Sequence, residues 1–374
     1  HEIIVDICSI RVLLRDLLKL YKGFVTEGRP SLSPLKLNFS NYIHWERQNI
    51  VSHGLPAQAA YWKSELSGEL PVMNLPFDRP RRKSPRYTIQ TESVYLDAGL
   101  TSGIKALGRQ GKLTLFVTLL AAFDLLLQSY SGQDDLIVGV PFANRNLEEA
   151  EEIAGFCLNM LPIRTCLAGD CTFSALLNRV NGKVTGAITN ADYPFMWMLN
   201  FSKIMRDTQI TPIFQVMFNM LNYSDLHFND SGLEMGYTVL QTAAPKYDLS
   251  LYAQESGDQI YLQFSYSPDL FDRATIERML SSYSGLLRTI VEHPEWPISK
   301  LEVMGERERQ EISQEWNRTF RPFDTDICLH ELFEQQAGRT PDRVAFVFQD
   351  QQVSYAELNV RANQLAHFLR RRGV

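Results

Sequence analysis

The segment of residues 114–142 constrains the fold most strongly, because it joins a strongly apolar helix to a short apolar strand. The stretch TLFVTLLAAFDLLLQSYSG predicts the helix, with Thr114 as its N-cap. The stretch DLIVGVPF, which follows it closely, predicts a buried strand. The centre of this chain is therefore expected to combine helices with strands.

The rest of the chain continues this mixture. The stretch SIRVLLRDLLKLY places apolar residues at helical spacing and predicts a helix over residues 10–22, with Ser9 or Asp6 as its N-cap. Strands and helices interleave without a strict beta-alpha-beta rhythm, which favours a mixed sheet flanked by helices over a doubly wound parallel sheet. Further helices are predicted in 38–50, 56–67 and 272–293, strands in 87–96, 155–167 and 213–221, and a hairpin in 247–267.

The composition is that of an ordinary globular protein and excludes several classes. With 374 residues, 45% apolar and 21% charged, the chain can build a sizeable core, so the disordered and fibrous classes are excluded. The 37 basic and 43 acidic residues give a net charge of -6 without a long block of one sign, so no nucleic-acid partner is expected. The basic cluster DRPRRKSPR at residues 78–86 is interpreted as a solvated linker rather than a phosphate-binding patch.

Common catalytic motifs are absent from the sequence. No motif of a nucleotide loop, a dinucleotide fold, a zinc peptidase or a serine hydrolase occurs. The five cysteines are odd in number and none forms a CxxC pair, so a reduced, cytoplasmic setting without structural zinc is expected. No apolar run reaches the roughly 18 residues of a membrane span, so no membrane partner is expected.

A change of composition at residues 305–326 indicates a linker, because this stretch is charged and then contains proline and aspartate. Residues 327–374 predict two short strands and a helix that begins at a capping box of Ser354 and Glu357. So small a piece cannot bury its own apolar face. It is therefore interpreted as the beginning of another domain, and the chain as a piece of a longer one.

The chain opens on HEIIVDICS, in which His1 and Glu2 precede a short apolar run that ends in Asp6. Acyl transfer to an amine or an alcohol needs a group that accepts the proton of the nucleophile, and a carboxylate or arginine that holds the shape of the loop. Histidine is the usual base near neutral pH. The opening fits either the remnant of a catalytic site or merely the start of the following helix.

The chain resembles the condensation domain of nonribosomal peptide synthetases over nearly its whole length. The opening HEIIVDI is similar to the family motif HHxxxDG at His1, Glu2, Asp6 and Ile7. Four later blocks follow in the family's order: FSNYIHW (39–45), IAGFCLNMLPIR (153–164), NADYPF (190–195) and RDTQITPIFQVMF (206–218). Five blocks in order make the resemblance specific.

The end of the chain resembles the first residues of an adenylation (AMP-binding) domain, which follows the condensation domain in a synthetase module. The resemblance implies a mixed α/β (α+β) fold of two chloramphenicol-acetyltransferase-like lobes with the active site in a tunnel between them, the N-terminal lobe being largely missing here. The expected domains are the remainder of that lobe and the inter-lobe crossing (1–86), the C-terminal lobe (87–304), the linker (305–326) and the start of the adenylation domain (327–374).

In this family the acceptor amine attacks the donor thioester, and both substrates are tethered to phosphopantetheine arms. The resemblance implies that His1, Glu2 and Asp6 are the candidate catalytic positions. Glu2 stands where the second histidine orients or deprotonates the amine, and Asp6 is structural and pairs with an arginine. Arg145 in VPFANRN, just past a buried strand, is the candidate partner; the alternative is that Arg145 lies at the surface.

The chain departs from the family motif in its loop. Glu2 replaces a histidine and Ile7 replaces a glycine, so the base and the backbone shape are both expected to differ. Glutamate, with a reference pKa of about 4.3, is a weaker base than imidazole. A positioned acid-base group contributes about 100- to 10,000-fold, while proximity of two tethered reactants supplies about 7–11 kcal/mol, so loss of the histidine need not abolish turnover.

The sequence leaves three functions open. A further explanation of Glu2 and Ile7 is that the sequence comes from a pseudogene or contains an error. The first is an amide-forming enzyme, and the second is a non-catalytic platform that docks carrier domains. The third, a coenzyme-A-dependent acyltransferase with an HxxxD motif, is less favoured because the residue four before Asp6 is Glu2. The resemblance implies upstream and downstream peptidyl carrier domains and the adenylation domain of the same chain as partners. It also implies that the domain binds no metal and no cofactor directly, and that ATP is used only at the adenylation domain. The 374 residues alone are expected to be inactive.

Overall fold

The computed structural model describes most of the chain and divides it into two compact units, His1–Glu308 and Arg309–Val374. The finer domain boundaries given above stay predictions. The structure describes residues 4–26, 28, 32–53, 55–82, 88–145, 148–201, 210–221, 246–301, 303–321 and 327–374.

The first unit combines helices with the strands of one sheet. Its helices are α1 (Ile7–Thr26), α2 (Phe39–His53), α3 (Pro56–Glu65), α4 (Ala98–Gln110), α5 (Leu115–Ser131), α6 (Phe173–Thr189), α7 (Phe195–Met198) and α8 (Arg273–Glu292), and the short α9 (Glu306–Gln310) lies at the boundary between the units. Its strands are β1 (Gln90–Leu96), β2 (Asp135–Phe142), β3 (Asn159–Cys166), β4 (Val216–Leu221), β5 (Leu249–Ser256) and β6 (Gln259–Tyr266).

The sheet is mixed, as the sequence predicts. Within the described residues its six strands lie in the order β1-β6-β5-β4-β2-β3. Strand β4 runs parallel to both β2 and β5, whereas all other neighbours are antiparallel. The hairpin of β5 and β6 is confirmed, and Gly257 in its turn has a φ of 63°, which glycine adopts without steric cost.

Helix α5 is the centre of the core. The Thr114 hydroxyl accepts a hydrogen bond from the backbone N–H of Val117 at 3.3 Å, so the predicted N-cap is confirmed. Residues 117–127 are all buried, and α5 contacts α4, α6, α8 and β2. Among the described residues, no single helix is both long and apolar enough to cross a membrane, although α4 and α5 together, bent by 105°, have such a length and composition.

Gly139 on β2 lies against the aromatic ring of Phe214, which is fully buried. A Cβ atom at Gly139 would overlap this ring. We expect Gly139→Ala to lower the free energy of unfolding by about 1–3 kcal/mol, because the ring must shift within a packed core. Urea unfolding followed by circular dichroism measures this loss.

Gly182→Ala is the matched control for that measurement. Gly182 is exposed on α6, and a Cβ atom there would meet nothing within 4 Å. Because alanine favours the helix over glycine by about 1 kcal/mol, this variant is expected to be more stable. If both variants gained stability, the contact between Gly139 and Phe214 would not be tight.

Residues 70–82 form an extended strap that docks on the body of the first unit. Each of its three arginines pairs with an aspartate of that body: Arg79 with Asp272, Arg81 with Asp248 (Nη1 to Oδ1 2.7 Å) and Arg82 with Asp269 (3.5 Å). Residues 78–82 are exposed or half-buried, as the interpretation of 78–86 as a solvated linker predicts, and in addition these ion pairs dock them on the first unit. Residues 83–86 lie outside the described residues.

The C-terminal end of α3 is held by Arg164 of β3. The last carbonyl groups of a helix have no partner within the helix. The Arg164 guanidinium also pairs with Asp135 on β2, with Nη2 and Oδ2 2.7 Å apart. It donates to the backbone carbonyls at this helix end: Glu65 (3.1 Å), Ser67 (2.8 Å) and Glu69 (3.3 Å). Helix α3 is thereby fixed to the pair of strands β2 and β3.

The second unit consists of α10 (Leu329–Arg339), β7 (Val344–Phe348), β8 (Gln351–Ser354) and α11 (Tyr355–Arg371). Strands β7 and β8 form an antiparallel hairpin. Ser354 and Glu357 form the predicted capping box at the start of α11. Large apolar side chains such as Phe348 and Phe368 stay exposed, at 65% and 55%, so the unit leaves apolar surface uncovered.

Candidate active site

Asp6 stands directly before α1 and caps this helix. Its Oδ1 atom accepts a hydrogen bond from the backbone N–H of Ser9 at 2.8 Å, and the Ser9 hydroxyl accepts one from the backbone N–H of Asp6 at 3.3 Å. This reciprocal pattern satisfies backbone amides that have no partner within the helix. Of the two N-caps that the sequence allows, the structure selects Asp6.

Arg145 follows β2 and pairs with Asp6. The chain turns into this position through Asn144, whose φ of 52° lies in the left-handed region that asparagine tolerates better than most residues. Arg145 Nη2 lies 2.8 Å from Asp6 Oδ1, and the two side chains are only 5% and 2% exposed. Nη1 donates to the backbone carbonyls of Ala150 and Ile153, both at 2.7 Å. Arg145 therefore lies in the interior rather than at the surface.

Three further residues complete this network, and sequence reasoning did not assign them to the site. The backbone N–H of Cys157 donates to Asp6 Oδ2 at 3.1 Å. The fully buried Ser9 hydroxyl lies 2.7 Å from Asp6 Oδ1 and 2.8 Å from the carbonyl of Gly155, either of which can accept its single hydrogen. It also accepts a hydrogen bond from the backbone N–H of Gly155 at 2.9 Å. The signals were the spacing of Ser9 from Asp6, typical of a cap, and the block IAGFCLNMLPIR.

The network fixes the base of the opening segment. Asp6 accepts hydrogen bonds at both carboxylate oxygens, and its burial keeps it from contact with a substrate. It can position residues before α1 but is badly placed to transfer a proton. Ile7 begins α1 with a negative φ, so this position needs no glycine here.

The other candidate positions, His1 and Glu2, lie outside the described residues. The structure thus brings together Asp6 and Arg145, and the roles of His1 and Glu2 stay predictions. In the described part of the chain, no group of three or more histidine, cysteine, aspartate or glutamate side chains could hold a metal ion.

Tyr42 on α2 connects the network to a cavity of about 160 Å³. Its hydroxyl donates to the backbone carbonyl of Asn144 at 2.9 Å, next to Arg145. Its ring packs with Ala150, Ile153 and Cys157 in a small apolar cluster. The cavity is lined by Tyr42, Trp45, Glu46, Ile50, Leu55, Asn144 and Asp192.

Two family models match this chain. One, described as Condensation domain, matches residues 1–313, and the other, described as AMP-binding enzyme, matches residues 333–374. The first match contains the network around Asp6 and the cavity, and the second covers most of the second unit.

Curated proteins of similar sequence are large synthetases. Malpinin synthetase of Mortierella alpina is 36% identical over 374 residues, and the alignment covers 100% of this chain and 5% of that protein. Surfactin synthase subunit 1 of Bacillus subtilis is 35% identical over 368 residues, with 98% and 10% covered. Tyrocidine synthase 3 of Brevibacillus parabrevis is 34% identical over 374 residues, with 100% and 6% covered. The chain thus spans a tenth or less of the length of these relatives.

Solved structures show the same fold. The X-domain from teicoplanin biosynthesis superposes with a TM-score of 0.72 at 26% identity, over 81% of this chain and 70% of that one. The four-domain nonribosomal peptide synthetase holo-AB3403, solved with AMP and glycine, superposes with a TM-score of 0.80 at 20% identity, over 99% of this chain and 29% of that one. The first condensation domain of the calcium-dependent antibiotic synthetase, in complex with a substrate analogue, gives 0.66 at 15% identity, over 81% and 65%.

Proposed function

Because the chain belongs to the condensation-domain family of nonribosomal peptide synthetases, we propose that it forms an amide bond between two substrates carried as thioesters on phosphopantetheine arms. The acceptor amine attacks the carbonyl carbon of the donor thioester, so that a C–N bond forms and the C–S bond breaks. The amine loses a proton and the donor carrier leaves as a free thiol. The adenylation domain, rather than this domain, uses ATP.

The observation that carries the proposal is the buried pair of Asp6 and Arg145 at the aspartate of the HHxxxDG-like motif. A buried ion pair is stable only where surrounding hydrogen bonds offset much of the cost of removing both charges from water. Here those bonds come from Ser9 and the segment of residues 150–157, whereas Nε of Arg145 has no partner among the described residues. Because both side chains are buried in this network, Asp6 and Arg145 are proposed to act as positioning residues of the motif rather than as groups that react.

Glu2 is proposed to orient the acceptor amine and to accept its proton. A carboxylate has a low pKa and is a weaker general base than imidazole. Tethering of both reactants supplies much of the rate enhancement through proximity, so a weak base leaves a slow but measurable reaction. Upstream and downstream carrier domains of the synthetase are the proposed partners that deliver the two thioesters.

A second candidate function is a non-catalytic platform that docks carrier domains. The replacement of the motif histidine by Glu2 favours it, because the residue expected to handle the proton has changed. Among the similar structures, the teicoplanin X-domain was solved in complex with another protein, OxyB. A fold of this kind can therefore present a docking surface.

Amide formation by the intact synthetase module decides between the two functions. Donor and acceptor carriers are loaded, and the tethered dipeptide is followed by mass spectrometry. We expect product from the native module, and a rate about tenfold or more lower with Glu2→Gln, which keeps the shape but loses the basic carboxylate. Glu2→His is expected to match or exceed the native rate.

The outcomes separate the candidates clearly. If only Glu2→His forms product, the native domain is a platform rather than a catalyst. Glu69→Gln, at an exposed position, is the control that should keep the native rate. The 374 residues alone are expected to form no product, because both substrates arrive on carrier domains, which the two family matches do not include.

A further inference from the structure

Tyr42 on α2 lies in the interior although it carries a polar group. Only 2% of this residue is exposed. Its hydroxyl donates to the backbone carbonyl of Asn144 at 2.9 Å and accepts a hydrogen bond from Asn144 Nδ2 at 3.4 Å. A buried tyrosine hydroxyl usually has such a partner. The two residues are 102 positions apart in the chain, so this contact joins α2 to the segment that follows β2.

Asn144 has a backbone conformation that needs support. Its φ of 52° lies in the left-handed region, which costs more free energy for asparagine than for glycine. Such a conformation persists where the surrounding contacts determine it, and residues of this kind are concentrated at functional sites. Both hydrogen bonds with Tyr42 act on Asn144. Because Arg145 comes next, the turn at Asn144 sets the direction in which the Arg145 side chain leaves the backbone.

The ring of Tyr42 supports the other side of the Arg145 guanidinium. It packs in a small apolar cluster with Ala150, Ile153 and Cys157. The backbone carbonyls of Ala150 and Ile153 accept hydrogen bonds from Arg145 Nη1, both at 2.7 Å. The backbone N–H of Cys157 belongs to the same network. One side chain of α2 therefore supports both the turn before Arg145 and the segment that surrounds its guanidinium.

Tyr42 is badly placed to take part in the chemistry itself. Burial, followed by the charge of Glu46, raises the pKa of Tyr42, so the phenol keeps its proton and stays a donor. With 2% of the residue exposed, it also offers almost no surface to a tethered substrate. Its effect on the reaction must therefore pass through the residues that it fixes.

We propose that Tyr42 is a positioning residue of amide formation, whose hydroxyl fixes the turn at Asn144 and thereby directs Arg145 to Asp6. The role in the reaction rests on the proposed function, whereas the fixation of Arg145 does not. Loss of the hydroxyl leaves the ring in its cluster but removes the donor to the Asn144 carbonyl. Asp6 and the groups bound to it would then be held less firmly, without a change at any group that reacts.

Tyr42→Phe and Tyr283→Phe provide a matched comparison. Tyr283 on α8 is fully buried, and its hydroxyl donates to the backbone carbonyl of Leu119 on α5 at 2.8 Å, outside the network of Asp6. Each variant therefore removes one buried hydrogen bond from a tyrosine hydroxyl to a carbonyl group. Circular dichroism measures the folded fraction of each variant, and all rates are expressed per folded protein.

Hydrogen exchange of the 374-residue protein, followed by mass spectrometry, tests the contact with the network. The backbone N–H groups of Gly155 and Cys157 donate within this network, so their exchange reports on its stability. We expect Tyr42→Phe to speed exchange in peptides that contain these two residues about fivefold, through the loss of one hydrogen bond. Tyr283→Phe should leave exchange there unchanged. Equal exchange in the native protein and Tyr42→Phe would overturn the proposal.

Amide formation by the intact module tests the role in the reaction. We expect Tyr42→Phe to lower the maximal rate about fivefold. The concentration of loaded carrier at half of this rate should stay the same, because Tyr42 is buried. Tyr283→Phe should keep the native rate. In a module with Arg145→Lys, Tyr42→Phe should lower the rate by less than about twofold, because both residues act through one network.

Asn144→Gly distinguishes a positioning role from a merely structural contact. Glycine adopts a φ of 52° without steric cost, so the turn needs less support from the hydroxyl. We expect the double variant of Tyr42→Phe and Asn144→Gly to form dipeptide at least about twofold faster than Tyr42→Phe alone. If the double variant is no faster, the hydroxyl does not act through this turn, and the proposal fails.

The two measurements separate this inference from the proposed function. If the native module forms dipeptide and Tyr42→Phe is as fast as Tyr283→Phe, the positioning role fails while the function stands. If the native module forms no dipeptide but Tyr42→Phe speeds hydrogen exchange at Gly155 and Cys157, the proposed function fails. Tyr42 then fixes Arg145 in a domain that is not a catalyst.

Discussion

Arg145→Ala is expected to lower the free energy of unfolding of the first unit by about 3–5 kcal/mol, because removal of one partner leaves a buried charge uncompensated. Asp6 would keep its carboxylate in an environment that is almost closed to water. The carbonyl groups of Ala150 and Ile153 would lose their donor as well. Urea unfolding at pH 7, followed by tryptophan fluorescence and circular dichroism, measures this loss.

Arg15→Ala is the matched control for Arg145→Ala. Arg15 also pairs with a carboxylate, that of Glu152, but the two side chains are 29% and 51% exposed. An exposed pair contributes about 1 kcal/mol or less, so the control should lose little stability. Arg145→Lys is expected to fall between the two, because an ammonium cannot serve Asp6 and two carbonyl groups in a fixed fork. A loss below about 1 kcal/mol for Arg145→Ala would contradict the role given to this ion pair.

The second large effect is expected at Asp124, in the middle of α5. Asp124 is 1% exposed, and its Oδ2 atom has no hydrogen-bond partner within the described part of the chain. Burial raises the pKa of Asp124 from 3.8 to about 7, against a weaker opposing effect of the Thr165 hydroxyl. The folded protein therefore binds a proton at Asp124 that the unfolded chain has already released above pH 4.

The sign of the pH dependence follows from this raised pKa. The stabilising contribution of Asp124 to the free energy of unfolding is fully present below pH 3.8 and falls as the pH rises towards 7. Above pH 7 the free energy of unfolding no longer changes through this group. The total loss is about 4 kcal/mol, of which roughly 2 kcal/mol falls between pH 5 and pH 7. Asp124→Asn cannot ionise and should not show this loss.

Unfolding of the native protein and Asp124→Asn at pH 5 and pH 7 tests this expectation. The difference in free energy of unfolding between the two proteins should shift in favour of Asp124→Asn by roughly 2 kcal/mol over this interval. Asp258→Asn, in the exposed turn of the β5–β6 hairpin, is measured alongside as the control for the exchange of an aspartate for an asparagine. A constant difference at Asp124 would mean that its carboxyl group is already ionised at pH 5.

The elements that the sequence predicts correctly are those with strong local signals. The helix after Thr114 has a cap and a long apolar run, and the β5–β6 hairpin has alternating residues around ESGD. Helices α4 and α6 were missed. Their N-caps, Asp97 and Thr172, are well formed, but the helices contain glycines such as Gly103, Gly182 and Gly186, which weaken the helical pattern.

The site shows a similar division between local and long-range information. Asp6 and Arg145 were named from the family motif and from a position after a strand, and the structure places them in contact. The parts played by Ser9 and Gly155 depend on contacts between positions 146 residues apart, which local patterns do not encode. The cavity has the same origin, because Glu46 and Asp192 meet only after the chain has folded.

The clamp of Arg164 on the end of α3 has a consequence for the order of folding during synthesis. The carbonyl of Glu65 receives its donor from a residue 99 positions later in the chain. At about 5–20 residues per second, a ribosome needs roughly 5–20 s to make the intervening chain. During that interval Arg164 cannot serve this carbonyl group, so the contact that fixes the end of α3 forms only after β3 has been synthesised.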